Sequence, residues 1–268
     1  MSERDGFQHG VPCWVDTWQD DGEAGARFYS ELLGWEIEGG DVGDGRSYRM
    51  CNLRRRNAAG IGSPRPAGVP GAPAWTTYVW VDDVDGALAT AIEAGGSAVL
   101  EPFESLDGGR MALIEDPQGA VFGIWHPGEH RGAQVVNEFG AWSMSPLQSP
   151  DPEASKRFYA AVLGWVDERF GTVSLLRLPG YVGGEPEQPV PRDVVAVLTE
   201  AGPGQPTGWI VDLWVDDVDA VAARAADLGG AVVVPPTDRP RAGVRAASIV
   251  DPAGAAFTVT RVLAIPSP

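Results

Sequence analysis

Two tryptophans and an aspartate alternate near the start of the chain, in the stretch PCWVDTW at 12–18. Such alternation is typical of a β-strand, in which Trp14, Asp16 and Trp18 share one face and the residues between them share the other. Indole rings stack on planar ligands, and a carboxylate among them can orient a hydroxyl or an amine, or act as a general base if burial raises its pKa. Core packing by the same rings is the competing interpretation.

The other residues with chemical potential form no known catalytic motif. The histidines are His9, His126 and His130, and the Pro-Gly pair between the last two breaks the helix that a metal-binding pair would need. Neither a G-x-S-x-G elbow nor a phosphate-binding or dinucleotide glycine fingerprint is present. Strand parity turns Cys13 toward the core, which predicts an inert thiol.

Composition narrows the classes of partner. The chain has 268 residues, of which 44% are hydrophobic, and its 37 acidic and 20 basic residues give a net charge of −17. This charge argues against nucleic-acid and membrane-surface partners. Without an apolar run of membrane-spanning length or a secretory leader, and with only Cys13 and Cys51 as thiols, we expect a cytoplasmic protein.

The chain contains an internal repeat. Three blocks recur in the same order, displaced by 130, 134 and 135 residues. These blocks are FYSELLGW at 28–35 and FYAAVLGW at 158–165, VDDVD at 81–85 and 215–219, and DPQG at 116–119 and DPAG at 251–254. A displacement of this size predicts two domains, residues 1–130 and 131–268.

Each half is expected to contain two βαβββ units. In the first unit, strand 12–18 precedes a helix over 22–33 that ends at Gly34, and the helix of the second unit covers 84–94, with Asp83 or Asp85 near its start. The predicted strands of the first half also include 35–38, 46–53, 58–62, 75–81, 98–103, 110–115 and 120–125. The DP-x-G sequence suits a tight turn before the last strand.

These blocks, in paired βαβββ units, resemble the vicinal oxygen chelate superfamily, which includes glyoxalase I, the bleomycin-resistance proteins and the extradiol dioxygenases. The tandem arrangement is similar to that of actinobacterial members. The resemblance implies an α+β fold of four βαβββ units. They would form two tandem glyoxalase-like domains, each with a curled, mixed half-barrel sheet around a cavity.

The resemblance also assigns positions to the divalent metal of the family's enzymes. In the first domain these positions hold Trp14, Thr76 and Gly123, none of which is a metal ligand. In the second domain they hold Ile210, Thr258 and either Trp142 or Met144. We therefore expect no metal and no other cofactor.

The same alignment indicates which side chains face the cavities. Asp16 and Asp212 are the candidate catalytic residues. The candidate ligand-binding residues are Trp14, Trp18, Thr76, Tyr78, Trp80 and Trp125 in the first domain, and Trp142, Met144 and Trp214 in the second.

Two functions compete on this basis. The leading hypothesis is a metal-independent protein that binds a planar aromatic small molecule, a natural product or antibiotic, in secondary metabolism or self-resistance. The alternative is a metal-independent biosynthetic enzyme that uses an aspartate as general base for proton transfer, cyclisation or rearrangement. A metal-dependent glyoxalase or dioxygenase would need ligands that the assigned positions do not hold. A monomer and a homodimer both remain open.

Overall fold

A computed structural model describes residues 4–67, 71–105, 109–183, 192–202, 205–239 and 242–263. The first domain contains two βαβββ units, as the repeat predicts. The first unit comprises β1 (Pro12–Trp18), α1 (Gly22–Leu33), β2 (Glu36–Gly43), β3 (Arg46–Leu53) and β4 (Arg56–Ser63). The second comprises β5 (Trp75–Trp80), α2 (Val84–Glu93), β6 (Ser97–Glu104), β7 (Arg110–Glu115) and β8 (Val121–His126).

All eight strands of the first domain belong to one mixed sheet, in the order β2-β3-β4-β1-β5-β8-β7-β6. The two units meet at the centre, where β1 and β5 run antiparallel, and each of these strands has the last strand of its own unit as a parallel neighbour. The sheet ends at β2 and β6 and is not a closed barrel, which confirms the half-barrel architecture.

The second domain repeats this plan with interrupted first strands. The third unit of the chain, the first of this domain, comprises β9 (Trp142–Met144), β10 (Leu147–Ser149), α3 (Pro152–Leu163), β11 (Val166–Phe170), β12 (Val173–Arg177) and β13 (Val194–Glu200). The fourth unit of the chain comprises β14 (Gly208–Trp209), β15 (Asp212–Trp214), α4 (Val218–Asp227), β16 (Ala231–Arg239), β17 (Val244–Val250) and β18 (Ala256–Val262).

A proline explains one of these interruptions. Pro146 separates β9 from β10 and has no N–H to donate to a strand ladder. The chain therefore forms two five-stranded sheets, β11-β12-β13-β10-β14 and β16-β17-β18-β15-β9. The partners of the broken strands still correspond to those in the first domain, because β10 pairs with β14 and β9 pairs with β15, both antiparallel.

Local sequence fixes the helix ends. The Asp21 side chain accepts hydrogen bonds from the backbone at the start of α1, and Gly34 ends this helix with a φ of 73°. Asp151 and Gly164 do the same for α3. Of the two aspartates proposed at the start of α2, Asp83 is the N-cap.

The two domains pack through their helices, α1 near α4 and α2 near α3. The repeated blocks meet at this interface: the Tyr29 hydroxyl donates to Asp251, and the Tyr159 hydroxyl donates to Asp116. The indole nitrogens of the repeated tryptophans also cross it, since Trp35 donates to the carbonyl of Gly140 and Trp165 to that of Gly10.

The helix-facing side of the first sheet is apolar, as strand parity predicts. Phe122 and Ile124 are fully buried in one core cluster with residues of α2. Cys13 and Cys51 are also buried, and burial raises the pKa of both thiols, which leaves them protonated and unreactive. No helix within the described ranges is long and apolar enough to cross a membrane.

Candidate ligand site

Asp16 lies at the centre of the concave face of the first sheet, and only 2% of its surface is exposed. Three donors reach its Oδ2 atom: the Trp18 indole nitrogen at 3.2 Å and the hydroxyls of Tyr48 at 3.1 Å and Tyr78 at 3.3 Å. Its Oδ1 atom is equally buried and has no hydrogen-bond partner among the residues that the structure describes. The carboxyl group thus has one saturated oxygen and one free oxygen.

Burial raises the pKa of Asp16 from 3.8 to about 7, against the opposing effect of the three donors. At neutral pH the carboxyl group therefore exists in both protonation states. It can accept a hydrogen bond or a proton through Oδ1 when ionised, and donate one when neutral.

A second layer of contacts orients these donors. The Trp14 indole nitrogen donates to the Tyr48 hydroxyl at 2.9 Å, so a chain of hydrogen bonds runs from Trp14 through Tyr48 to Asp16. Tyr48 lies on β3 and was not among the sequence candidates. The alternation of β3 is a weak signal for it, because only the register, Tyr48 beside Gly62, shows which face it occupies.

Glycines on the concave face provide the space that the rings occupy. A Cβ atom on Gly123 would lie 2.0 Å from the Tyr78 ring, and one on Gly62 would lie 2.3 Å from the Trp18 ring. A Cβ atom on Gly60 would likewise collide with the Tyr48 hydroxyl. These rings therefore lie flat on the strands and converge on Asp16.

We expect Gly123→Ala to displace Tyr78 and to lower the free energy of unfolding by about 1–3 kcal/mol, because overpacking a filled site forces side chains from their positions. The measurement is denaturant-induced unfolding. Gly40→Ala is the matched control, since a Cβ atom there would have no neighbour within 4 Å. Equal stabilities of the two variants would contradict the tight fit of Tyr78 over Gly123.

The remaining candidates of the first domain surround this centre. Thr76 is the strand neighbour of Asp16, and Trp80 pairs with Trp125 in register. The indole nitrogen of Trp125 is buried without a hydrogen-bond partner. His130, which the sequence placed only in the interdomain connection, packs against Trp14 and Trp125 with ring centroids 4.4 and 5.2 Å apart.

Asp212 forms a second, differently built carboxylate site in the second domain. Its carboxyl oxygens accept hydrogen bonds from the hydroxyls of Ser143 and Thr260, and 7% of its surface is exposed. Burial raises its pKa to about 7, against the lowering effects of the two hydroxyls and of Arg239. Hydroxyl groups here replace the aromatic donors that surround Asp16.

The register decides between Trp142 and Met144. Met144 pairs with Asp212 as Trp14 pairs with Tyr78, so Met144 occupies the place of Trp14. After a register shift Trp142 pairs with Leu213, a helix-facing core residue. The Trp142 indole nitrogen donates to the Ser145 hydroxyl at 3.1 Å.

Trp214, the last candidate, pairs with Thr260 on the concave side of β15 and is 7% exposed. The two aspartates are not equivalent in the repeat. The residue of the second domain that corresponds to Asp16 is Pro146, and Asp212 corresponds to Tyr78. The two domains have thus acquired buried carboxyl groups at different positions.

The side chains at the assigned metal positions do not fit a metal ion. Trp14 offers only an N–H donor, which is directed at Tyr48, and Gly123 has no side chain and lies beneath Tyr78. In the second domain the positions hold Met144, Ile210 and Thr258, a set without imidazole or carboxylate. Across the described residues, no three His, Cys, Asp or Glu side chains are grouped closely enough to bind a metal.

Paired βαβββ units joined through their first strands define a protein of the vicinal oxygen chelate superfamily, and the comparisons agree. A family model described as "Glyoxalase-like domain" matches residues 14–125 and 144–260. The chain is 36% identical over 264 residues to "Putative glyoxylase CFP32" of Mycobacterium tuberculosis, covering 97% of this chain and 98% of that protein. The chain therefore belongs to the glyoxalase-like family, in its tandem form.

A second group of relatives has a different name. "Anthracycline biosynthesis protein DnrV" of Streptomyces peucetius is 32% identical over 273 residues, which cover 96% of this chain and 94% of that protein. The relatives thus include one protein named for a glyoxylase and one named for antibiotic biosynthesis.

Solved structures confirm the fold at much lower identity. The 2,3-dioxygenase LapB of Pseudomonas sp. KL28 superposes with a TM-score of 0.64 at 16% identity, over 98% of this chain and 96% of that one. A Mn(II)-bound glyoxalase of Novosphingobium aromaticivorans superposes with a TM-score of 0.61 at 17% identity, over 96% and 84%.

Proposed function

We propose that the first domain binds, without a metal, a planar aromatic small molecule that carries a hydroxyl or amine. The observation that carries this proposal is the unequal use of the two oxygens of Asp16. Oδ2 accepts three hydrogen bonds, whereas the buried Oδ1 accepts none. An unpaired buried acceptor costs about 1–3 kcal/mol, which a donor on the ligand would recover.

The surroundings of Asp16 favour a flat apolar ligand body. The rings of Trp18, Tyr48 and Tyr78 adjoin the carboxyl group, and aromatic rings attract other rings beyond simple area burial. At the rim, Met111 is half-buried and pairs with Phe103, which is 40% exposed. This apolar rim gives such a ligand a path to the concave face.

The relatives support a setting in natural-product metabolism. Because one of them is named for anthracycline biosynthesis, we propose a polycyclic aromatic natural product or antibiotic as the ligand. The protein would act on it as a carrier, a self-resistance protein or an accessory to another enzyme.

Calorimetric titration with 2-naphthol, a planar ring with one hydroxyl, tests this proposal, and 2-methoxynaphthalene serves as the matched compound without a donor. We expect 2-naphthol to bind about tenfold more tightly, because only its hydroxyl can donate to Oδ1 of Asp16. Trp18→Ala should weaken 2-naphthol binding by about two- to tenfold, the contribution of one ring contact.

Phe170→Ala is the control for this titration, because Phe170 lies on β11 of the second domain and is 61% exposed. Equal affinity for the two compounds, or unchanged binding in Trp18→Ala, would contradict the proposed site. A native mass spectrum of the purified chain tests metal independence, and one transition metal per chain would contradict it.

A second candidate function, acid–base catalysis on a similar substrate, is favoured by the pKa of about 7 of Asp16. The ionised carboxylate would remove a proton from the substrate through Oδ1, and the resulting acid would return it to another atom of the same molecule. Asp212, with the same raised pKa, is the second candidate base. Turnover that survives both Asp16→Asn and Asp212→Asn would exclude this function.

A further inference from the structure

A groove separate from the Asp16 site lies between the N-terminal arm, residues 4–10, and the second domain. It is a shallow groove that is open to solvent. Arg4 and Phe7 of the arm line one side, and Trp142, Ser143, Tyr181 and Arg192 are among the residues of the second domain that line it.

The charge of the groove is opposite to that of the chain. It is lined by two arginines, Arg4 and Arg192, and no acidic side chain is among its lining residues in the described part of the chain. The whole protein has a net charge of −17, with 37 acidic and 20 basic residues. A locally positive groove on such a protein selects anions from the ligands that reach it.

Arg4 provides the donor that an anion needs. Its Nε atom is buried and has no hydrogen-bond partner within the described part of the chain, and its guanidinium carbon lies 6.0 Å from the centre of the Phe7 ring. Arg192 is held by a hydrogen bond from its Nε to the carbonyl of Gly183 at 2.8 Å. A guanidinium group presents paired donors that match the two oxygens of a carboxylate.

A second buried polar atom without a partner belongs to Asn137, which also lines the groove. The side-chain oxygen of Asn137 is buried and has no hydrogen-bond partner among the described residues. The Ser143 hydroxyl is already engaged with Asp212. Polar groups without partners on two walls of one groove indicate that a ligand completes them.

The rest of the lining is mostly apolar and includes Phe7, Trp142 and Tyr181. We therefore propose that this groove is a second small-molecule site, which binds an aromatic carboxylate with its ring among these side chains and its carboxylate on Arg4. This ligand class differs from that of the first domain, where a carboxyl group of the protein faces the ligand.

Calorimetric titration of the full chain with naphthalene-2-carboxylate tests this site, and naphthalene-2-carboxamide serves as the uncharged compound of the same shape. We expect the carboxylate to bind at least tenfold more tightly than the amide, and Arg4→Gln to remove most of this difference. Arg4→Lys keeps the charge but loses the paired donors, so it should bind with intermediate affinity.

Two controls separate this site from the first. Arg169→Gln removes an arginine of β11 whose Nε donates only to the nearby carbonyl of Gly171, and it should leave the affinity unchanged. Asp16→Asn should affect the binding of 2-naphthol and not that of the carboxylate. The proposal is overturned if the amide binds as tightly as the acid, if Arg4→Gln binds like the parent chain, or if no saturable binding occurs at millimolar probe.

Discussion

Asp16→Asn is expected to stabilise the protein above neutral pH while it weakens ligand binding at the first site. The side chain of asparagine has the shape of aspartate, and its oxygen can accept the three hydrogen bonds that now reach Oδ2. Its amide nitrogen would occupy the place of the unpaired Oδ1. The variant removes a buried charge and keeps the contacts.

The sign of the effect follows from proton linkage. The pKa of Asp16 rises from 3.8 to about 7 on folding, so the folded protein binds more protons than the unfolded chain between these values, and its stability falls as the pH rises through this range. Above about pH 8 the free energy of unfolding is therefore lower than at acid pH by on the order of 4 kcal/mol, since a pKa change of one unit corresponds to about 1.4 kcal/mol. Asparagine does not titrate and avoids this loss.

Denaturant unfolding at several pH values measures this prediction. We expect the two proteins to have similar stability near pH 4, and the variant to be several kcal/mol more stable above about pH 8. Asp44→Asn is the control, because Asp44 is exposed and its positive φ of 54° suits asparagine. A pH-independent difference between Asp16→Asn and the parent would refute the raised pKa.

A residue that lowers stability and is retained at the centre of an aromatic face is typical of a functional site. Binding of 2-naphthol should therefore decrease in Asp16→Asn even though the fold becomes more stable, because the acceptor Oδ1 is replaced by a donor. Loss of binding together with a gain of stability distinguishes a ligand-binding role from a structural one.

The sequence predicted the elements around Asp16 because local signals agree there. Alternation located β1 at 12–18, and Gly34 marked the end of α1 at 22–33, as observed. The inward direction of Asp16 followed from strand parity together with the metal position that the family resemblance assigns to Trp14. In the second domain, Met144 takes the place of Trp14, and Trp142 lies beyond a register shift that the first domain also has, between Pro12 and Trp14.

The partners of Asp16 could not be predicted in the same way. Tyr48 is 32 residues from Asp16 in the sequence, and its contact depends on the curl of the sheet and on the space above Gly60. His130 reaches Trp14 only because the interdomain connection folds back over the first domain. Contacts of this kind arise from tertiary geometry, on which strand periodicity gives no information.

The second large effect is expected at the domain interface, in Asp251→Ala. Asp251 is 4% exposed, and its Oδ2 accepts hydrogen bonds from Tyr29 at 2.9 Å and Gln19 at 2.6 Å. Its Oδ1 accepts from the backbone of Ala253 and Ala255 in the DP-x-G turn. Alanine would leave all these donors unpaired, so we expect a loss of about 3–5 kcal/mol in the free energy of unfolding.

The repeat provides the matched comparison, Asp116→Ala. Asp116 makes the same turn contacts with Gln118 and Ala120 and accepts the hydroxyl of Tyr159 at 3.0 Å. The position that corresponds to Gln19 holds Ser149, whose hydroxyl instead contacts Ser155. One fewer donor is orphaned, so Asp116→Ala should be less destabilising than Asp251→Ala by about 1 kcal/mol or more.

A double-mutant cycle tests whether the loss comes from the contact between the domains. Tyr29→Phe removes the hydroxyl that joins α1 of the first domain to the last turn of the second, and it also frees the Trp75 indole nitrogen, which donates to that hydroxyl. If the two domains are held by this contact, Tyr29→Phe and Asp251→Ala should together cost less than the sum of their separate losses, by about 1 kcal/mol or more. Additive losses would mean that the Tyr29 hydroxyl contributes nothing through Asp251. The contact of Asp251 with the first domain would then depend on Gln19, beside the packed helices and the bonds of Trp35 and Trp165.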